Sequence, residues 1–325
     1  MSLLADKIGN TADNDILFEE AQEEIVEGLT AEQKQISPKY FYDERGSKLF
    51  DEICELPEYY PTRTEQLIMQ THLPEIAELV GPKAAVIEFG AGSNAKARQL
   101  LGHLDAPLAY VPVEISGEYL ADQAAELQDD FPELSIKPVV ADFTKPFDLP
   151  EHPEVPARNL VFFPGSTIGN FTRTEAVELL DVMRMEAKPG GALLIGVDLV
   201  KDEDRVLAAY NDSQGTTAAF NLNALKHLNE CVGTDFDLDN FEHEAVYDKN
   251  HQRIEMRLVS LARHSVDVAD ETIRFEEGEH IVTEYSHKYS IESFKELAAQ
   301  AGWRHEAVWT DDNRLFSVHF LSAPE

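Results

Sequence analysis

The chain has 325 residues, room for one large or two ordinary domains, and 43% of them are hydrophobic, so it buries a core and is not a disordered chain. Its 27 Lys and Arg face 61 Asp and Glu, a formal net charge of −34. That field repels phosphate backbones and anionic membrane surfaces, which argues against nucleic-acid and membrane partners. Two cysteines form no disulfide framework and fit a reducing cytoplasm, residues 1–7 lack the apolar stretch of a signal peptide, and no apolar run approaches the ~20 residues of a membrane helix.

Residues 13–29 predict an amphipathic helix, with Ile16, Leu17, Ala21, Ile25 and Val26 as its apolar positions. Residues 34–63 are dense in rings and turn formers, including Tyr40-Phe41-Tyr42-Asp43 and Leu56-Pro57-Glu58-Tyr59-Tyr60-Pro61-Thr62-Arg63. A surface segment carries that many rings where they pack or bind something. Residues 65–79 predict a second amphipathic helix. Ala84-Ala85-Val86-Ile87 then reads as a buried strand, Glu88-Phe89-Gly90-Ala91-Gly92-Ser93 as a tight turn, and residues 96–101 as a helix. Gly90 and Gly92 let the main chain turn sharply and let a ligand approach it, as in nucleotide-binding corners.

A second strand, residues 109–113, ends in Glu114, roughly 20 residues past the glycine turn, where a carboxylate accepts from ribose hydroxyls. A third strand, 136–140, ends in Ala141-Asp142-Phe143, a carboxylate for an exocyclic amine and a ring for the face of an adenine. The glycine turn and Glu114 suit NAD as well, with Ala95 in the third glycine's place. Glu88 before the turn and the Asp142-Phe143 step instead resemble the S-adenosylmethionine site of class I methyltransferases.

A fourth strand, 159–163, runs into Pro164-Gly165-Ser166-Thr167-Ile168-Gly169-Asn170. A helix over 173–187 and a fifth strand over 192–197 follow. Alternation of this kind predicts a parallel doubly wound sheet, with Gly90, Glu114, Asp142 and residues 165–170 at the edge where such sheets bind ligands. Asn170 is equally suited to capping the next helix. Residues 201–286 break the alternation: 203–210 and 217–230 read as helices, 253–259 and 273–281 as strands. A helix over 291–301 and a hairpin of 307–310 with 316–321 close the chain. The fold expected is an α/β class I methyltransferase (Rossmann-like) doubly wound sheet with an antiparallel terminal hairpin, plus a second α+β substrate domain. Residues 61–200 and 287–325 are assigned to the S-adenosylmethionine-binding domain, and 1–60 and 201–286 to the substrate domain.

If Thr283-Glu284-Tyr285-Ser286 is extended, Glu284 and Ser286 point to one face and together can hold a small ring with two nitrogens. Met256 offers an adaptable apolar wall, and Tyr59 and Tyr210 offer hydroxyls for a carboxylate. From spacing alone an exposed polar face and ordinary packing tyrosines serve as well. His227 and Cys231, four apart on a helix, make half a metal site, and no second pair accompanies them, so no metal is expected.

Six runs stand in the order found in one known family: 40–43, 56–63, Gly165-Ser166-Thr167-Ile168-Gly169-Asn170, Asp198-Leu199-Val200-Lys201-Asp202, Arg253-Ile254-Glu255-Met256 and 283–286. From about residue 35 onward the chain resembles the histidine-specific Nα-methyltransferases of ergothioneine biosynthesis. Fungal tryptophan-derivative N-methyltransferases share the broader family. The resemblance implies S-adenosylmethionine as cofactor and L-histidine as substrate, trimethylated at its α-amino nitrogen to hercynine. It implies that Asn170 holds the amino group with Tyr42 nearby, Tyr42 and Asn170 being the catalytic pair, and that Gly165 also binds the substrate. It places Tyr59 and Tyr210 on the carboxylate, and Glu284, Ser286 and Met256 around the imidazole. Gly90, Lys96, Glu114, Asp142, Phe143 and Tyr42 would hold the cofactor, with Lys96 on its carboxylate. The loop after Tyr210, Asn211-Asp212-Ser213-Gln214-Gly215, is poorer in Gly and Pro than this family suggests. A cytoplasmic monomer is expected.

Overall fold

The computed structural model describes residues 11–115 and 117–325, with side chains for 18–115, 117 and 119–325. Residues 1–7, read above for a signal peptide, and the side chains of Ile16 and Leu17 lie outside the described residues. In chain order the elements are α1 (Thr11–Thr30), α2 (Glu44–Glu55), α3 (Tyr60–Val80), β1 (Ala84–Phe89), α4 (Ala95–Leu101), β2 (Ala109–Glu114), α5 (Gly117–Asp130), β3 (Ser135–Ile136), β4 (Val139–Val140), β5 (Arg158–Phe163), α6 (Arg173–Ala187) and β6 (Ala192–Asp198). There follow α7 (Glu203–Tyr210), α8 (Thr216–Cys231), β7 (Phe241–Asp248), β8 (Arg253–Ser260), β9 (His264–Val268), β10 (Glu271–Phe275), β11 (His280–His287), α9 (Ile291–Gln300), β12 (Arg304–Thr310) and β13 (Phe316–Ser322). Two compact units result, Pro61–Val200 with Lys288–Glu325, and Met1–Tyr60 with Lys201–His287.

The first unit is built on an eight-stranded sheet of order β12-β13-β6-β5-β1-β2-β3, with β4 also on β2. Strands β1 to β6 pair parallel, and only β13 and β12 run antiparallel. The central strands are apolar on both faces because helices cover both. Ile87, Phe89, Val161, Phe163, Ile195 and Val197 pack on one side against Leu179, Leu180 and Met183 of α6 and Phe294 and Leu297 of α9. Alternate residues, Val86, Leu160, Phe162 and Leu194, pack on the other against Ile68, Met69, Leu73 and Ile76 of α3 and Leu100 of α4. From β1 the chain moves outward through β2 to β3 and β4, then returns to β5 on the opposite side. The switch in strand order therefore lies between β1 and β5, and in such sheets the crevice beyond the strand C-termini at the switch binds ligands.

The third strand expected over 136–140 is two short pieces. Pro138 has no N–H to give the ladder, and the Lys137 N–H goes to the Tyr110 carbonyl where the pairing shifts. The strand expected over 273–281 is likewise split. Glu276–Glu279 forms a turn with Gly278 at φ 82°, so β10 pairs with β9 while β11 joins β8.

The second unit holds a three-stranded antiparallel sheet, β11-β8-β7, the β9–β10 hairpin, and helices α1, α2, α7 and α8. Helix α1 buries Ala21, Ile25 and Leu29, one apolar stripe at helical spacing. The ring-rich segment is accounted for by packing: Phe41 stacks on Phe220 of α8 at 4.5 Å, Phe50 lies 5.8 Å from Phe220 and 5.8 Å from Tyr42, and Tyr59 lies 6.2 Å from Phe50.

Candidate active site

At the C-terminal end of β1 the chain turns through Gly90, which takes φ +71° and, with Ala91, donates its N–H to the Val113 carbonyl at the end of β2. A Cβ on Gly90 would come within 3.3 Å of the Phe143 ring, whereas one on Gly92 would meet nothing within 4 Å. The turn is closed on the Phe143 side and open above Gly92, a cradle into which a ligand can be laid against the backbone. Phe143 is braced by Phe89 at 6.0 Å and Phe163 at 5.9 Å. Asp142 beside it is exposed, its Oδ1 accepting from the Thr144 amide and hydroxyl. Glu114 ends β2 and is half-buried, accepting from the Ile115 amide at 2.7 Å.

Glu88, the last polar residue of β1, is buried, and the Tyr110 hydroxyl donates to it. Burial pushes its carboxyl up to about 7, while Tyr110 and Lys96 pull the other way. An acid so placed gains most when a cation arrives beside the turn, and S-adenosylmethionine carries both an ammonium and a sulfonium. The open glycine cradle, the flanking ring and the buried acid fit that cofactor.

Across the switch, β5 ends at Phe163 and the chain turns through Gly165 (φ +84°) and Ser166 (φ +60°) into a 3₁₀ turn, Thr167–Asn170. The Ser166 hydroxyl accepts from the Asp198 amide of β6, 2.9 Å away, which holds the left-handed residue in place. Asn170 closes the 3₁₀ turn and is not the cap of α6. Thr172 is, in a capping box with Glu175. Lys96, in the first turn of α4, pairs with Glu65 of α3 at 2.5 Å, and Glu65 also accepts the Gly165 N–H at 2.9 and 3.0 Å.

The second unit gathers the other named side chains. In the β8–β11 register Glu284 stands opposite Met256 and Ser286 opposite Ile254. A bulge after Val282 sets Thr283 aside, and its hydroxyl donates to Asn221 and to the Met256 carbonyl. Glu284, Ser286 and Met256 thus share one face of the sheet. Ser286 is only 3% exposed, and its Oγ lies 2.7 Å from the Tyr210 hydroxyl at the end of α7. Tyr59 packs edge-on against Tyr210 at 6.3 Å. Burial raises the Tyr59 hydroxyl well above the usual phenol range, and Tyr210, Cys54, Glu284 and Tyr42 add to it, so Tyr59 keeps its proton at neutral pH and is a donor.

The structure therefore brings Tyr42, Tyr59, Tyr210, Met256, Glu284 and Ser286 together in one unit. It places Gly90, Lys96, Glu114, Asp142, Phe143, Gly165 and Asn170 at one sheet edge in the other. The loop after Tyr210 turns into α8 at Gly215 (φ +76°) and is otherwise shaped by side-chain acceptors. Asp212 accepts from the amides of Gln214, Thr216 and Thr217 at 3.0, 3.0 and 2.7 Å, and Glu58 takes the Ser213 hydroxyl at 2.8 Å. His243 donates through Nε2 to the Tyr210 carbonyl, because Asn221, which donates to Nδ1, fixes the tautomer. Sequence reading missed Glu65, Asp212, Asn221 and His243. Glu65 left a signal: it occupies the buried stripe of α3 with Pro61, Thr64, Ile68 and Met69, where a carboxylate is out of place unless paired. Among the described residues no group of three or more His, Cys, Asp or Glu is placed to hold a metal, and no helix is long and apolar enough to cross a membrane.

A parallel sheet reversing between β1 and β5, a glycine turn over a buried acid, and an antiparallel β12–β13 hairpin on β6 define a class I S-adenosylmethionine-dependent methyltransferase. Residues 21–323 match the family described as "Histidine-specific methyltransferase, SAM-dependent", and the chain belongs to that family. It is 41% identical over 302 residues to the histidine N-alpha-methyltransferase of Mycolicibacterium smegmatis, covering 91% of this chain and 93% of that one. The histidine N-alpha-methyltransferase of Mycobacterium tuberculosis is 37% identical over 91% of this chain and 92% of its own. Ergothioneine biosynthesis protein 1 of Neurospora crassa is 31% identical over 89% of this chain, which spans only 33% of that larger protein.

Proposed function

We propose that the protein transfers methyl groups from S-adenosylmethionine to the α-amino nitrogen of L-histidine, three in succession, to form hercynine for ergothioneine biosynthesis. The observation that carries this reading is the cluster of Glu284, Ser286 and Tyr210 beside Met256 in a chain of the histidine-specific family. Glu284 accepts from one imidazole nitrogen, and Ser286, already tied to Tyr210, serves the other. An indole has only one N–H and leaves half of that arrangement unused. Tyr59, held protonated, donates to the α-carboxylate together with Tyr210. Asn170 and the Gly165 turn orient the amino group.

The cofactor supplies an electrophilic methyl whose leaving group is a neutral thioether, so no general acid is required. Gly90 and Phe143 shape the cradle, Asp142 and Glu114 take the adenine amine and the ribose, and Lys96 takes the carboxylate. The amine must be neutral to react, and much of the acceleration comes from holding it in line with the methyl. Tyr42 or water receives the proton released before each transfer. The rings of Tyr42 and Tyr59 favour the growing ammonium through their π faces.

The test is to incubate the purified protein with S-adenosylmethionine and each of the twenty amino acids and to weigh the products. A gain of three methyl groups on histidine alone is expected. Methylation of a different amino acid would keep the cofactor assignment and overturn the roles of Glu284 and Ser286. An absence of methylation with intact cofactor binding would overturn the activity itself.

A further inference from the structure

Glu65 is a carboxylate without an assigned role, 2% exposed, beneath the sheet edge that carries the cofactor residues. It accepts both ways from the Gly165 amide and pairs with Lys96, so one side chain on α3 ties the start of α4 to the turn after β5. Its place is reserved. A Cβ on Gly196 of β6 would sit 1.9 Å from the Glu65 Oε1, so a glycine is required in a buried strand whose neighbouring residues are Ile195 and Val197. A Cβ on Gly165 would lie 3.6 Å from the Lys96 Nζ, which places the ammonium directly against the turn. The carboxylate is buried, paired with a half-buried ammonium and bonded to the Gly165 amide, and such a group keeps its geometry because losing a partner leaves a buried charge uncompensated.

We propose that Glu65 is a positioning residue: it fixes the Lys96 ammonium against the Gly165 turn and so sets the site that receives the cofactor's carboxylate. This rests on the reading of Lys96 given above. A lysine on its four-carbon stem has many rotamers, and an anchored one binds a carboxylate without losing that freedom at the moment of binding. The ion pair with Glu65 holds the ammonium in place, and an ammonium carries three donors, enough to serve a ligand carboxylate as well.

The experiment compares two ligands by calorimetry. S-adenosylhomocysteine carries the amino-acid carboxylate, and 5′-methylthioadenosine keeps the adenine, ribose and thioether but lacks it. Glu65→Gln is nearly isosteric and still accepts from the Gly165 amide, but it presents an amide N–H or a neutral oxygen to Lys96. Affinity for S-adenosylhomocysteine should fall about tenfold, the scale of one lost charge-assisted bond, with methylthioadenosine affinity unchanged within about twofold. Lys96→Met should produce the same selective loss, and Glu65→Gln added to Lys96→Met should add nothing further. Equal weakening of both ligands by Glu65→Gln would make Glu65 a general support of the fold and overturn the proposal. So would a selective loss in Lys96→Met with none in Glu65→Gln, which leaves the Lys96 reading standing. Lys96→Met without a selective loss would overturn both. Gly196→Ala crowds the same carboxylate and should reproduce the selective loss if Glu65→Gln proves too unstable to measure.

Discussion

The two units are built from different materials. At the parallel-sheet edge the chain works with backbone: positive-φ residues at Gly90, Gly165 and Ser166, and the amides of Gly165 and Asp198, which donate to Glu65 and to the Ser166 hydroxyl. In the unit of β7, β8 and β11 it works with side chains on rigid elements. Tyr210 ends a helix, Met256 and Glu284 face each other across a strand pair, and Ser286 is locked to Tyr210. A turn of the first kind is set by glycine conformation. A cluster that tells one aromatic amino acid from another depends on where particular polar atoms stand. On the function proposed, the first kind serves the cofactor and the second tells histidine from other amino acids.

That contrast is sharpened most by Glu284→Ala. It leaves the Tyr210–Ser286 bond in place but removes the acceptor proposed for the imidazole, and a site built to bond a polar ligand atom loses heavily when the partner is missing. Steady-state kcat/KM for histidine should fall on the order of 1000-fold, S-adenosylhomocysteine affinity should hold, and discrimination against tryptophan should shrink. Undiminished selectivity would move specificity out of this cluster.

Glu88→Gln tests the other unit through pH. The Glu88 carboxyl stands at about 7 in the folded protein against an ordinary 4.5, so the folded state holds this proton more tightly. Its contribution to stability is greatest below about 4.5, declines as pH rises to about 7, and is flat above. The Gln variant lacks this loss, so its stability relative to the parent should rise across that window, by at most about 3 kcal/mol. Parallel urea titrations at pH 5 and pH 8 measure the difference. An identical gap at both would show that Glu88 titrates normally.

Tyr210→Phe removes one hydroxyl from the side-chain cluster. It should raise KM for histidine about tenfold and leave the KM for S-adenosylmethionine within about twofold. A matching rise in both would mean that the Tyr210 hydroxyl does not act on histidine alone. Gly90→Ala is the smallest expected effect. A non-glycine residue at φ +71° is strained, and its Cβ presses Phe143 from 3.3 Å, so stability should drop by about 1 kcal/mol, a few degrees in Tm, with histidine KM unchanged. A full-strength cofactor site with no loss of Tm would argue that the turn relaxes without glycine.

The amino-acid order by itself determined the parallel sheet, because apolar strands alternating with amphipathic helices have few other ways to cover both sheet faces. It also determined the glycine turn with its trailing Glu114 and the Asp142-Phe143 step, each a local pattern within one strand-turn-helix unit. Alternation along residues 283–286 was enough to put Glu284 and Ser286 on one face, since strand side chains have period two. The break at Pro138 was written in the chain but outweighed by the apolar run around it. The turn at residues 276–279 was hidden because period-two patterning continues through both flanking strands.

Only the tertiary structure decided which strand Met256 faces, that Tyr210 meets Ser286 across 76 residues, and that Thr172 rather than Asn170 caps α6. The same holds for Glu65, whose two partners lie 31 and 100 residues away and whose space is left by a glycine on a third element. The physical reason is common to all of them. Local sequence sets backbone conformation and the face a residue occupies, whereas a polar pair is made by elements that meet only when apolar surfaces pack. Burial then holds the pair, because an unpaired polar group there costs more than the chain can spare.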